Sequence, residues 1–393
     1  MGKYKTVYII DALRTPVGKL YGSLSEVRTD NLIAGLLKSF LSDNKNLNIN
    51  HLDCLYLGCG NQAGEDNRNI AKMALLLNGI TDSVYASTVN NLCVSGMEAV
   101  FQAYRQIKCA EADFCIAGAV DNMSRSPYVI SRINSQKEDS TIGWRFTNPK
   151  IKNFLEPKSM PENAEYISEL YQVSREDQDE YAFQSRLKYE NAIQNDMYRS
   201  ETATVFGDEG EVRLDKDEQH RNLSSESLSK LPALVKNGNF ITIGNSARIG
   251  DGAALIALAS EDYILQNNIQ PVARIVSIGT SAEHPDKMGI AGITAFQKAL
   301  KNAALSKNKI DFIEVNEAFA LQGILCSRLL DLNPSIINKN GGTISIGNPL
   351  SMGSARLLVS VIHELRRNKN SNYAAVLSSA ALGLGTSMIL ENI

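Results

Sequence analysis

The feature that most constrains this chain is a supersecondary unit that occurs twice. In the first half, Ala86-Ser87-Thr88-Val89-Asn90-Asn91-Leu92-Cys93-Val94-Ser95-Gly96 leads into a helix to Ile107 and then the strand Phe114-Cys115-Ile116-Ala117-Gly118. In the second, Gly342-Thr343-Ile344-Ser345-Ile346-Gly347-Asn348-Pro349 leads into a helix through Arg356 to Leu365 and then the strand Ala374–Leu377. Each copy reads as strand, turn of small residues, helix, strand. Two copies of one unit predict duplicated halves with a site between them.

Flanking segments point the same way. Val7–Asp11 and Cys54–Gly58 read as buried strands, and Asn31–Leu41 and Asn69–Leu77 carry apolar residues at helical spacing. Such alternation predicts an α/β architecture with helices covering sheets. From about Asp121 to Gly250 the chain turns polar and loop-rich, with one clear helix signal. There Ser174-Arg175-Glu176-Asp177 resembles a capping box before helix formers running to Asn195. This stretch reads as an insertion folded over one edge of the core. Alternation resumes with Ala253–Ser260 and Val272–Ile278.

Composition excludes several classes of function. At 393 residues and 44% hydrophobic, the chain has material for two to three domains and a large core. A net charge of −3 argues against nucleic acid as the main partner. The segment Met1 to Thr6 lacks the apolar stretch of a signal peptide. Gly2 and Thr6 fit a myristoylation pattern, but Lys3 to Ala12 reads as a first strand, so acylation is not expected. No apolar run has the length to cross a bilayer. Six cysteines without metal-ligand spacing suggest reduced thiols and no metal site. The expectation is a soluble, cytoplasmic globular protein.

Cys93 is the first candidate for chemistry. It sits where a strand gives way to a helix, and a helix N-terminus lowers a thiol's pKa and favours the nucleophilic thiolate. A buried structural cysteine is the competing reading; the other five cysteines are assigned to the core. Asn316-Glu317-Ala318-Phe319-Ala320 follows the strand Phe312–Val315, at the strand end where α/β folds place ligands. Asn316 there can hold a carbonyl or a water, or simply cap a helix. Gly341-Gly342 and Gly383-Leu384-Gly385 can bring backbone N–H groups close to a ligand. Neither fits a phosphate-binding fingerprint, which excludes nucleotide binding.

Taken together, these segments resemble the thiolases, acyl-CoA C-acyltransferases that make or cleave a carbon–carbon bond between acyl thioesters. The likeness covers nearly the whole chain. It includes Asp11 to Pro16, Gly60 to Asn69, Gly143-Trp144-Arg145-Phe146, Asn316 to Ala320, and Gly341 to Arg356. The second and third of these are similar to thiolases acting on 3-oxoadipyl-CoA and related dicarboxylic acyl-CoAs. The resemblance implies a thiolase fold with a duplicated five-layer αβαβα core and an inserted loop domain. The halves would be 1–120 plus 250–270 and 271–393, with the loop domain at 121–249. It also implies homodimers or dimers of dimers, and acyl-CoA as substrate with no resident cofactor.

By the same resemblance Cys93 takes up the acyl group and Asn316 holds a water in one oxyanion hole. The backbone N–H groups of Cys93 and Gly383 form the other. Met288 and Phe319 fall in segments expected near the acyl and coenzyme A path. Two catalytic groups of the family are replaced, however. Asn348 stands where the activating His of Gly-His-Pro belongs, and Ala381 where the second Cys of Cys-x-Gly belongs. An amide accepts no proton near neutral pH and a methyl group exchanges none. Each lost acid–base group typically costs about 10²–10⁴ in rate. On the pantetheine side, Ala247 and Arg248 replace the Ser and Gly of Gly-Asn-Ala-Ser-Gly, and Val94 replaces the Gly after the nucleophile.

Of the four histidines, His51 precedes an early strand, His220 lies in the polar insertion and His363 on a surface-like helix. His284, before Pro285, is the one whose loop the family places near the acyl pocket. Two readings follow. In one, Cys93 still forms an acyl thioester, and the second half-reaction uses a decarboxylating malonyl-type donor, water or another heteroatom nucleophile. In the other, the chain is a non-catalytic thiolase-like protein that binds acyl-CoA or stabilises a partner subunit.

Overall fold

The computed structural model describes residues 4–61, 64–139, 143–218 and 224–393. Gly2, Gln62, Ala63 and His220 lie outside the described residues. The first half contributes β1 (Val7–Arg14), β2 (Gly18–Lys19), β3 (Cys54–Gly58), β4 (Tyr85–Val89) and β5 (Phe114–Asn122). Between them run α1 (Thr29–Asp43), α2 (Ile70–Leu77) and α3 (Ser95–Lys108). The insertion holds two small hairpins, β6 (Tyr128–Ile130) with β7 (Lys137–Asp139), and β8 (Val205–Phe206) with β9 (Val212–Leu214). It also holds α4 (Met160–Leu170), α5 (Arg175–Gln194) and α6 (Ser225–Ser229).

The core resumes with β10 (Gly250–Ser260), α7 (Glu261–Asn267), β11 (Ala273–Ala282), α8 (Ala291–Ala303) and β12 (Phe312–Val315). After α9 (Ala320–Leu330), α10 (Thr343–Ile346) and α11 (Ser351–Arg367), the chain closes with β13 (Tyr373–Ala380) and β14 (Leu384–Asn392).

Nine strands follow the order β12-β13-β14-β11-β1-β10-β5-β3-β4, and β2 pairs beside β10. The duplication is visible in the ladder directions. β3 runs parallel to β5, which is antiparallel to β10, which is antiparallel to β1. β12, β13, β14 and β11 repeat that pattern. The halves meet where Tyr8 and Ile9 pair with Arg274 and Ala273.

Strand alternation divides the apolar side chains into layers. Cys54, Tyr56, Cys115 and Ala117 face inward, as do Phe312, Ala374 and Val376 of the other half, and all pack around α3 and α11. Leu55, Leu57, Phe114 and Ile116 face outward onto α1 and α2. Ile313, Val315, Ala375 and Leu377 pack outward with α8 and α9. Helix, sheet, helix, sheet, helix is the five-layer arrangement expected. Its central helix α11 is buried on every side almost to its end, the pattern of a helix with no solvent face.

Several details depart from the sequence reading. The segment read as the first strand of the second repeat is a single helical turn, α10, so β4 has no counterpart. α4 adds a helix to the insertion, opened by a capping box between Ser159 and Glu162. His363 is buried, not on a surface, with Nε2 against the Ala12 carbonyl at 2.9 Å. Cys109 is exposed at the end of α3 and is not a core residue.

Candidate active site

Helices α3 and α11 meet at their first turns. Gly96 permits this: a Cβ there would lie 2.6 Å from the Ser351 carbonyl oxygen, and Met97 N donates to Ser354 Oγ at 3.2 Å. The contact brings together the two loops that carry the repeated motif, Cys93-Val94 ahead of α3 and Asn348-Pro349-Leu350 ahead of α11. Cys93 packs with Leu350 and Ala380 in a small apolar cluster.

Above the thiol opens a cavity of about 250 Å³. Cys93, Leu92, Leu350, Ala381 and Leu382 line it from the core. The insertion supplies Trp144, Arg145, Glu156, Lys158, Met160 and Asn163. Trp144 is fixed by its Nε1–H, which donates to the Lys158 carbonyl at 3.1 Å. Lys158 is neutralised by Asp286 at 2.7 Å, whereas Arg145 has no ion-pair partner among the described residues. A larger cavity, of about 420 Å³, lies between α1 and the β8–β9 hairpin and shares no residue with this one. Its Arg28 and Arg213 are already paired with Asp30 and Glu26.

The thiol is not activated in the way its position suggests. Burial, and after it the Asp121 carboxylate, push Cys93 up to about 11, while the backbone N–H groups of Ala381 and Cys93 itself pull the other way. The helix N-terminus is outweighed because Cys93 stands ahead of the cap residue Val94, enclosed by apolar side chains. Asp121 was not singled out from sequence. It ends the buried run of β5, the same strand-end signal that marked Asn316. It accepts from Gly60 N at 3.0 Å, Asn61 N at 3.2 Å and Ser351 N at 2.8 Å, and from the Ser351 hydroxyl. One carboxylate thus ties the first half's Gly60 loop to the start of α11. Burial raises its own pKa to about 6.

The other candidates form two pairs and three separate positions. Asn348 and Arg248 are neighbours: Asn348 N donates to the Arg248 carbonyl at 2.7 Å. The Asn348 Oδ1 is buried without a hydrogen-bond partner and packs over Gly353. Ala247 and Phe319 are likewise joined, through Ala247 N to the Ala318 carbonyl at 2.9 Å and a bridge between Ser246 and Phe319. Asn316 is buried, with Nδ2 donating to Ser378 Oγ at 3.3 Å and Oδ1 accepting from Thr343 Oγ1 at 3.1 Å. Gly383 adopts φ +77°, a conformation that disfavours side chains, and its carbonyl accepts from Glu283 N at 2.8 Å. Met288 is buried against Asn163. Asn316, Gly383, Ala247, Arg248, Met288 and Phe319 do not line the cavity above Cys93.

Among the described residues no histidine lines the cavity at the thiol. His284 caps the turn Pro285–Ile290, its Nδ1 accepting from Asp286 N at 3.3 Å, and it is outside the cavity lining. Among the described residues no cluster of His, Cys, Asp or Glu is placed to hold a metal ion, and no helix is long and apolar enough to cross a membrane.

Comparison with known proteins gives a consistent result. The thiolase N-terminal domain family matches residues 7–262 and the thiolase C-terminal domain family residues 269–392. The chain is 39% identical over 400 residues to a β-ketoadipyl-CoA thiolase of Pseudomonas aeruginosa, covering 99% of this chain and 100% of that one. It is 40% identical over 401 residues to the 3-oxoadipyl-CoA/3-oxo-5,6-dehydrosuberyl-CoA thiolase of Escherichia coli K12, covering 99% and 100%. Among solved structures, an acetyl-CoA acetyltransferase of Bacillus anthracis superposes with a TM-score of 0.92 at 30% identity, over the full length of both chains.

Proposed function

Since the chain belongs to the thiolase family of acyltransferase enzymes, we propose that it takes acyl groups from coenzyme A onto Cys93, with altered Claisen chemistry. The single observation that carries this reading is the Cys93 thiol, which lines the cavity together with Ala381 and Leu382. In the first half-reaction the Cys93 thiol gives its proton to water, Sγ attacks the thioester carbon, the bond to the coenzyme A sulfur breaks, and the released thiolate takes a proton back from water. The backbone N–H groups of Cys93 and Gly383, and a water on Asn316, would stabilise the oxyanion. A thiol near 11 leaves roughly one molecule in ten thousand ionised at neutral pH, so acylation is slow.

In the second half-reaction the family's route deprotonates the α-carbon of a second acyl-CoA. Neither Asn348 nor Ala381 can do so. The acceptor is therefore a carbanion generated by decarboxylation of a malonyl-type thioester, or a heteroatom nucleophile such as water. The acyl group proposed is dicarboxylic. The names of the Pseudomonas and Escherichia relatives support this, as does Arg145 in the cavity, which has no ion-pair partner among the described residues. Coenzyme A enters as substrate, not as a resident cofactor. A cytoplasmic homo-oligomer, a dimer or a dimer of dimers, fits the exposed terminal strand β4, with neither membrane nor nucleic acid as partner.

One observation favours a non-catalytic reading, in which the chain binds acyl-CoA or stabilises a partner: the thiol is raised, with no base beside it. Intact-protein mass after incubation with acetyl-CoA and with a dicarboxylic acyl-CoA separates the two. An acyl-sized mass gain that Cys93→Ala abolishes supports transfer. Absence of a gain in the wild-type chain, with coenzyme A still bound, supports the non-catalytic role.

A further inference from the structure

Asn316 can donate to a water in the oxyanion hole only through its amide nitrogen, not through its oxygen. The two ends of an amide have nearly the same shape, so something must choose between them. The choice is made by a chain of buried hydrogen bonds behind the site. Arg356, on α11 and fully buried, donates from an Nη2 hydrogen to Thr343 Oγ1 at 3.2 Å. Thr343, at the start of α10 and also fully buried, lies 3.1 Å from Asn316 Oδ1.

A guanidinium is a donor only. Thr343 accepts from it, and Asn316 is the one acceptor for the Thr343 hydroxyl proton among the described residues, so an amide turned the other way would leave that buried proton unpaired. A donated proton requires an oxygen at that end of the amide. We infer that Arg356 and Thr343 are positioning residues that set the orientation of the Asn316 amide. Nδ2 is thereby turned toward Ser378 Oγ at 3.3 Å, with its second hydrogen unengaged among the described residues. Arg356 is itself held from behind, Nη1 reaching Ser360 Oγ at 3.4 Å and Glu314 Oε2 at 3.9 Å. The two halves of the repeat thus serve one function: the second supplies the relay and the first supplies the thiol.

The inference rests on the acyl-transfer role proposed for Asn316, but its test does not depend on that role alone. Thr343→Val keeps the shape and removes the hydroxyl, and Thr343→Ser restores it. In single-turnover acylation by acyl-CoA, Thr343→Val is expected to lower the rate constant about tenfold, with substrate affinity within about twofold of wild type. Thr343→Ser should recover most of the rate. A Thr343→Val chain acylating at the wild-type rate, or a Thr343→Ser chain equally slow, overturns the relay. Neutron crystallography of the wild-type chain reads the amide directly. Oδ1 facing Thr343 supports the inference, and a deuterated Nδ2 facing Thr343 overturns it, whether or not the chain acylates and whether or not Thr343→Val folds.

Discussion

The backbone N–H of Asn348 donates to the carbonyl of Arg248 at 2.7 Å, so two of the residues that set this chain apart from the thiolase pattern lie side by side. The resemblance to thiolases puts one at the position of the general base and the other on the pantetheine path. Their pairing is made by backbone alone, so substitution of either side chain leaves the contact in place.

That independence makes the acid–base deficit repairable. Asn348→His combined with Ala381→Cys supplies both proton-transfer groups beside an unchanged Cys93. Thiolysis of a 3-oxoacyl-CoA, followed by loss of the substrate enolate absorbance, should rise by about 10² or more over the wild-type chain. The single variants should recover much less. A double variant no faster than wild type would locate the block elsewhere, with Arg248 the first suspect.

Among the described residues Arg145 is the one cavity cation whose charge is not cancelled by a neighbour, because Lys158 is committed to Asp286. Arg145→Gln should raise KM for a dicarboxylic acyl-CoA about tenfold, and leave that for a monocarboxylic chain of equal length unchanged. Equal losses on both substrates would refute a carboxylate-binding role.

Much of this architecture is legible in the sequence. Long buried strands such as β10 announce themselves through apolar runs, here Ala253–Ala259, and the duplicated unit survives as a pattern of small residues between strand and helix. What misleads is short. Thr343-Ile344-Ser345-Ile346 alternates like a strand, but four residues cannot distinguish the two periods. Thr343 bonding to Asn316, and Ile344 N to Glu317 at 3.3 Å, hold it as a helical turn. α4 was missed despite its Ser159 cap and Pro161, signals that a polar background obscured. The thiol's raised pKa lay beyond reach because it depends first on burial and then on Asp121, 28 positions away and adjacent only in the fold.

Buried acids should make stability depend on pH. Glu314 is fully buried, and desolvation raises its carboxyl to about 8, with Arg356 at 3.9 Å only partly opposing the shift. The unfolded value is near 4.3. The folded state therefore favours the protonated form, and the stability this confers is full below that value and lost as pH rises through about 8. Glu314→Gln imitates the protonated form. Its melting temperature should gain on wild type by a few degrees between pH 5 and pH 9. A gap that does not change with pH would contradict this origin.

At Gly96 the approach of α3 to α11 leaves no room for a methyl group, since the nearest atom is the backbone carbonyl oxygen of Ser351 at 2.6 Å. Gly96→Ala should cost about 1–3 kcal/mol in urea unfolding. It should also slow Cys93 alkylation or acylation, because the loops at the head of both helices shift together. Wild-type stability in this variant would mean that the helices part freely.

The lost counterpart of β4 has a consequence for association. At the far end of the sheet, β12 is plugged: Asn338 N donates to the Ile313 carbonyl at 2.9 Å, and its side chain engages both Val315 N and the Val315 carbonyl. β4, at the opposite end, carries exposed and half-buried side chains and, among the described residues, a single such tie, from Asn69 Nδ2 to the Ala86 carbonyl at 3.2 Å, which leaves the rest of that edge open. A ribbon with one sealed hem and one raw hem cannot grow into a fibre by lateral stacking. Two copies that join along the raw hem consume it, and the assembly stops by its own geometry.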